Sequence, residues 1–409
     1  MLTLRPHQNA CLAAMQSAAR GQLIVPTGGG KTIVGIVDAM GAFERHTGAT
    51  IVVVAPRILL AEQLCHEYLG FINDAEVMHV HSGKVREFAT TNPQKIAEWV
   101  NARPGTNKLI FTTYHSLRRV QEAEVAVHTI YFDEAHNSTK KNFFPATMWF
   151  AHNAQRAYFF TATPRWSTVN TKAGMNMDFI YGPVLYNVPA PTLVAGGFIL
   201  PPEIHLLEGE VVAKEDRTPQ HDADTILDAI YENSVGKLLV AAESVKQIMN
   251  IMEQTDFIET TQELGYSVMY ISASHGAFID GEKVARPVFF DTLNTWGNDS
   301  TKRFIILHHS ILSEGISVSG LEGVLMLRNM NTITMSQTIG RVIRLHRDDI
   351  AGLKSGKIEA GNLDQYTKPV GICIVPTNTK IGISTAKRLR NVADTIFVEG
   401  DYAKEIVTR

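Results

Sequence analysis

Cysteine is scarce, with three among 409 residues, at positions 11, 65 and 373. Scattered and odd in number, they form neither a disulfide framework nor a metal knuckle, and they suit a reducing cytosol. Long apolar runs are missing as well. The longest candidates, such as 51–55, are strand-sized and far short of the ~18–20 residues of a membrane helix. No membrane is therefore expected as a partner. Residues 1–7 include Arg5 but no continuous apolar stretch, so a secretory signal is not expected and a cytoplasmic location is. Nor is there an excess of positive charge: 38 Lys and Arg face 41 Asp and Glu, for a net charge of -3. A nucleic-acid partner would have to be held by a local groove, backbone N–H groups and a few placed cations. Repeats, low-complexity tracts and long charge runs are absent too. What remains is globular composition, 45% hydrophobic and 19% charged. The length corresponds to two or three domains at ~150 residues each.

Short runs rich in β-branched residues predict strands at 22–25, 51–55, 108–112, 129–132 and 157–161. Helical patterns at 31–43, 59–68 and 93–101 separate them. Strands alternating with helices imply a parallel, doubly wound sheet, and runs apolar at nearly every position fit strands covered on both faces. A second series follows at 238–242, 267–272, 304–308, 324–328 and 371–375, with helices expected at 244–254 and 334–342. The reading is two α/β domains of similar size, 1–200 and 201–409, the latter with a tail helical in part. Their junction is expected at Pro201 and Pro202, which together block helix and central strand alike.

The octet Val25-Pro26-Thr27-Gly28-Gly29-Gly30-Lys31-Thr32 follows a predicted strand and opens a predicted helix. That is the context of a phosphate loop. Glycines admit backbone N–H groups close to phosphate oxygens, and the helix N-terminus adds its dipole. Lys31 would reach the β- and γ-phosphates of ATP, and the Thr32 hydroxyl would ligate Mg²⁺. The Lys-Thr ending favours a triphosphate over a dinucleotide. A second strand ends in Phe132-Asp133-Glu134-Ala135-His136. Asp133 would hold the metal, and Glu134 would orient and deprotonate the attacking water.

These motifs resemble the superfamily-two helicases and translocases, in the DEAH-type branch that includes phage recombination helicases and restriction-enzyme motor subunits. The resemblance runs over roughly residues 4–350. Leu4-Arg5-Pro6-His7-Gln8 is similar to the adenine-reading motif, with Gln8 on the adenine edge and Arg5 nearby. Ala55-Pro56-Arg57 and Thr112-Thr113-Tyr114-His115-Ser116 resemble motifs that touch the nucleic-acid backbone, as Ser310 would. Thr161-Ala162-Thr163-Pro164 resembles the motif coupling ATP state to grip, with His136 as a further coupling residue. Leu312-Ser313-Glu314-Gly315-Ile316-Ser317-Val318 resembles the fifth motif, with Gly315 near the nucleotide and Ser317 where many relatives carry Asp. In the sixth, 336–344, Gln337 would meet the γ-phosphate region and Arg341 and Arg344 would be arginine fingers.

The resemblance implies two tandem RecA-like domains, each a mostly parallel sheet covered by helices on both faces. It implies ATP hydrolysis between them with Mg²⁺, and motion along nucleic acid, DNA in preference to RNA. An RNA helicase of the same fold and a motor subunit of a larger restriction or repair complex are the alternatives. A monomer is expected, with an accessory protein to supply a strand-separating wedge. Arg57, Lys84 and Arg86 are candidate cations beside the groove, and Tyr114, Trp149 and Trp166 candidate stacking residues, although isolated aromatics usually belong to a core. His79 with His81, and His308 with His309, have no third ligand at a suitable spacing and read as polar or core histidines.

Overall fold

The computed structural model describes residues 3–83, 85–209, 212–213, 216–272, 274–309, 318 and 320–408. The chain divides into two compact units, Met1–Val188 with Tyr402–Arg409, and Pro189–Asp401.

The first unit holds β1 (Arg20–Ile24), β2 (Thr50–Ala55), β3 (Ala75–Val80), β4 (Phe88–Ala89), β5 (Asn107–Thr113), β6 (Thr129–Phe132), β7 (Arg156–Thr161), β8 (Arg165–Ser167) and β9 (Val184–Asn187). Eight of these form one sheet in the order β4-β3-β5-β2-β6-β7-β1-β9. Every pairing in it is parallel. Parallel neighbours need long crossovers, and helices supply them. Helix Lys31–Arg45 packs Val34, Ile36, Ala39 and Phe43 inward, and helix Ile58–Leu69 packs Leu60, Leu64 and Tyr68. β2 is buried at all six positions, as its unbroken apolar run requires. β3, β4, β8 and β9 are strands that pattern reading missed; in β3, Glu76 and His79 interrupt the apolar run near the sheet edge.

The second unit holds β10 (Pro202–Leu207), β11 (Lys237–Ala241), β12 (Ser267–Ser272), β13 (Gly276–Ile279), β14 (Glu282–Val284), β15 (Phe304–His308), β16 (Gly323–Met326) and β17 (Gly371–Pro376). They pair in the order β10-β17-β16-β11-β15-β12-β13-β14. Only the β12–β13–β14 end is antiparallel. Three of its helices begin at Thr218, Ser244 and Thr379, whose hydroxyls accept the backbone N–H of His221, Gln247 and Gly382.

The division falls between Val188 and Pro189, ahead of residues 201–202. Helix Ala190–Ala195 packs on Asp394–Val398 of the second unit and buries Leu193 there. The end of the chain returns to the first unit, where β18 (Glu405–Val407) pairs in parallel with β8. Arg165 and Glu405 pair across that ribbon at 3.4 Å. No helix among the described residues is long and apolar enough to cross a membrane.

Candidate active site

In a parallel sheet all carboxyl ends lie along one edge, where open α/β sheets place their sites. In the first unit that edge carries the loops after β1, β2, β5, β6 and β7, and these are the loops singled out from the sequence. The loop after β1 closes on itself, with the Gly29 N–H donating to the Pro26 carbonyl at 2.9 Å. Gly30 caps helix Lys31–Arg45 in the left-handed region, at φ 83°. That conformation favours glycine, and a Cβ there would lie 2.5 Å from Gln8 Nε2, so the Gln8 amide would have to shift. Thr27 Oγ1 is buried with no hydrogen-bond partner among the described residues.

The first helix holds this loop from the side. His7 Nε2 meets the Gly29 carbonyl at 2.7 Å, a support the sequence reading did not foresee. Gln8 accepts the Arg5 backbone N–H at 2.9 Å and donates to the Gly30 carbonyl at 3.4 Å. Gln8 is buried, and its amide joins the start of its own helix to the loop.

Across the loop, Lys31 Nζ donates to Glu134 Oε1 at 3.0 Å. Glu134 sits at φ 45°, an uncommon conformation for a non-glycine residue, which turns the chain directly after Asp133. Burial pushes the Asp133 carboxyl up to about 7; Lys31 opposes that rise and Glu134 adds to it. Tyr114 Oη donates to the Asp133 carbonyl at 2.8 Å, and the Asp133 N–H donates to Val54 at 2.9 Å, so this corner is held on both sides.

His136 Nδ1 lies 3.1 Å from Thr161 Oγ1 and 3.6 Å from Glu134 Oε2. Thr161 Oγ1 in turn accepts the Thr163 N–H at 3.1 Å. The DEAH corner and the loop after β7 thus share one short polar chain, and all of its side chains except Glu134 are buried.

Two residues expected at the strand are enclosed in the structure. Thr112 is fully buried and its hydroxyl donates to the Val80 carbonyl at 2.9 Å. Tyr114 is equally enclosed, stacked near Phe132 and Phe143. Neither side chain is on a surface a strand could reach. Thr113 is also buried, whereas Pro56 and Ser116 are half-buried and Arg57 is exposed. His79 and His81 are core residues bonded to each other at 3.0 Å. Ser310, Gly315, Ser317 and Lys84 lie outside the described residues. In the second unit, Gln337 and Arg341 are buried on helix Thr332–Val342, and Arg344 is half-buried just beyond it.

The most consequential group that sequence reading missed lies on the helix that follows the glycine-rich loop. Arg156 on β7 pairs with Asp38 through two bonds of 2.9 and 2.8 Å, and Tyr131 on β6 donates to the same carboxylate at 2.6 Å. This ties the helix that begins at Lys31 to two strands of the sheet.

Residues 1–166 match the family described as type III restriction enzyme, res subunit. Among solved structures, the chain is similar to the ATP-dependent Type ISP restriction-modification enzyme LlaBIII bound to DNA. The identity is 15% and the TM-score 0.72, over 100% of this chain and 31% of that one. A nuclease-deletion mutant of the Type ISP enzyme LlaGI in complex with a DNA substrate mimic is 17% identical, at TM-score 0.65, over 98% and 30% of the two chains. The DExH-box NTPase HrpB of E. coli is 14% identical, at TM-score 0.56, over 95% and 43%. No curated protein sequence matches the chain. The fold is that of RecA-like helicase structures, and residues 1–166 carry the likeness to the res-subunit family. The chain spans less than half the length of each of these three structures.

Proposed function

We propose that the chain is an ATP-hydrolysing motor that moves along nucleic acid, DNA in preference to RNA. The observation that carries this reading is the Lys31–Glu134 contact of 3.0 Å across the loop capped by Gly30. The residues fit a magnesium nucleotide. The Thr27 hydroxyl is buried without a partner among the described residues, Gly30 turns the loop through the left-handed region, and the Asp133 and Glu134 carboxylates both feel the Lys31 ammonium.

Thr32 and Asp133 would hold Mg²⁺, which neutralises phosphate charge. Loop N–H groups and Lys31 bind the β- and γ-phosphates, and Gln8 with Arg5 reads the adenine. With Lys31 engaged on phosphate, the Glu134 carboxylate is left to accept a proton from water. That water's oxygen bonds to the γ-phosphorus as the bond to the β-phosphate oxygen breaks. Gln337, Arg341 and Arg344 steady the charge that spreads over the transferred group, Arg through its planar fork. The polar chain His136–Thr161–Thr163 carries the state of this corner to the loop after β7. Pro56, Arg57 and Ser116 form the backbone-directed grip on the strand.

The test is steady-state ATP hydrolysis at one salt concentration with no polymer, single-stranded DNA, duplex DNA, forked DNA or RNA. Stimulation by DNA supports the reading; stimulation by RNA alone transfers the chain to RNA; turnover indifferent to polymer refutes motion along a strand. A second reading, the motor part of a larger restriction assembly, is favoured by the res-subunit match and by the 31% coverage of LlaBIII. Weak activity that a partner protein restores would select it.

A further inference from the structure

Lys368 is a buried lysine outside every motif considered so far. Among the described residues its ammonium meets no carboxylate. It donates to three backbone carbonyls, those of Leu321, Val342 and Arg344, the last at 3.0 Å. Val342 ends the helix that carries Gln337 and Arg341, and Arg344 follows in the next turn. The carbonyl between them, on Ile343, accepts the Leu200 N–H at 2.7 Å. Three consecutive carbonyls at the helix end are thus all taken, two of them by one side chain. A cation is suited to this place, because the last carbonyls of a helix have no partner within it and carry its negative dipole end.

The segment bearing Lys368 is itself held firmly. The Asp349 carboxylate is fully buried and accepts the N–H groups of Thr367 and Lys368, at 2.7 and 3.1 Å. Three residues on, Gly371 lets the two backbones touch: a Cβ there would lie 2.7 Å from the Val342 oxygen. Its N–H donates to Pro201 at 2.9 Å. Burial draws the Lys368 ammonium down to about 7, Glu322 opposing and Arg344 adding to the fall. An ion held at that desolvation cost is solvated by the carbonyls it grips, so those carbonyls have little freedom.

We infer that Lys368 is a positioning residue for Arg341 and Arg344, acting through the backbone on which they are mounted. The inference rests on the proposed role of those arginines in ATP hydrolysis. It makes the three carbonyls, rather than any contact with nucleotide, the means by which Lys368 governs turnover.

The experiment compares the full chain with Lys368→Met, Gly371→Ala and a matched control, Lys237→Met. Lys237 is also buried and also donates to a backbone carbonyl, that of Gly297 at 3.0 Å, away from the motif helix. Each variant is measured for melting temperature and for kcat and KM with ATP, at saturating DNA. Lys368→Met should lower kcat about 10- to 100-fold while KM stays within about 3-fold, since misplacement of a group by an ångström costs that much. Gly371→Ala, which pushes on the Val342 carbonyl, should give the same split. Lys237→Met should lose stability without that loss of kcat. Unchanged kcat in folded Lys368→Met, or an equal loss in Lys237→Met, overturns the inference. If Lys368→Met does not fold, unchanged kcat in Gly371→Ala overturns it instead. Wild-type chain without turnover that depends on Lys31 overturns the hydrolysis reading itself, an outcome distinct from the others.

Discussion

Replacing Arg156 by Met should weaken the first unit more than any surface change, because it strands a buried charge. The Asp38 side chain is 3% exposed and that of Arg156 17%. Removing one partner of a buried pair costs about 3–5 kcal/mol, and the partial exposure of the arginine points to the lower end, about 3. The guanidinium also lies 4.8 Å from the Tyr158 ring centroid, a contact of about 0.5–1 kcal/mol that is lost with it. Together these come to about 3.5–4 kcal/mol, which for a unit of this size corresponds to a melting shift of about 7–16 °C. Three of the four tryptophans, Trp99, Trp149 and Trp166, belong to the first unit and Trp296 to the second. Tryptophan fluorescence in a Trp296→Phe background therefore follows the first unit alone during urea or thermal unfolding. The double variant Asp38→Ala/Arg156→Met removes the stranded charge. It should fall short of the sum of the single losses by at least about 1.5 kcal/mol, as coupled neighbours do. A loss below about 1 kcal/mol for Arg156→Met, or strict additivity, would refute the argument that this pair fastens the helix of Lys31 to the sheet.

Gly30→Ala should cost about 1–2 kcal/mol from its left-handed φ alone and should abolish ATP turnover; an active variant of wild-type stability would mean the loop is not the phosphate cradle. Glu134→Gln should keep ATP binding within a few-fold while slowing hydrolysis about 10²- to 10⁴-fold, checked by equilibrium titration beside steady-state rates. Lost binding with normal residual turnover would remove Glu134 from the role of base. Acid should weaken the first unit through His79, whose pKa falls to about 4, by burial first and then by His81, against the opposing pull of Glu87. The unfolded chain takes up this proton near 6.5 and the folded chain only near 4, so stability is full above about pH 6.5 and is lost as pH falls toward 4. The loss at pH 5 is about 2 kcal/mol, and His79→Phe should remove it; a variant as acid-sensitive as wild type would assign the effect elsewhere.

Much of the site was legible because its elements are local. Gly28-Gly29-Gly30-Lys31-Thr32 and Asp133-Glu134 announce themselves by residue type and by position after apolar runs; β6 ends directly before Asp133, and β1 ends at Ile24, with three residues between it and Gly28. Position in a motif did not reveal which way a side chain turns. Thr112 and Tyr114 stand in a loop motif, yet both face the core and brace Val80 and Asp133. Ala75–Val80 escaped notice because a strand near a sheet edge tolerates Glu76 and His79, so its pattern carries little periodicity.

The sequence by itself determined the class of fold: strands buried on both faces alternating with helices, with a glycine-rich loop and an acidic corner each at a strand end. Those are properties of short windows, set by backbone sterics and by which side chains can leave water. Only the tertiary structure decided the partners. Asp38 and Arg156 are 118 residues apart, Lys31 and Glu134 103, and Lys368 grips carbonyls up to 47 residues away. No periodicity encodes such pairs. A buried polar group must find a partner wherever the fold brings one within reach, and only the closed sheet and its packed helices settle which one that is.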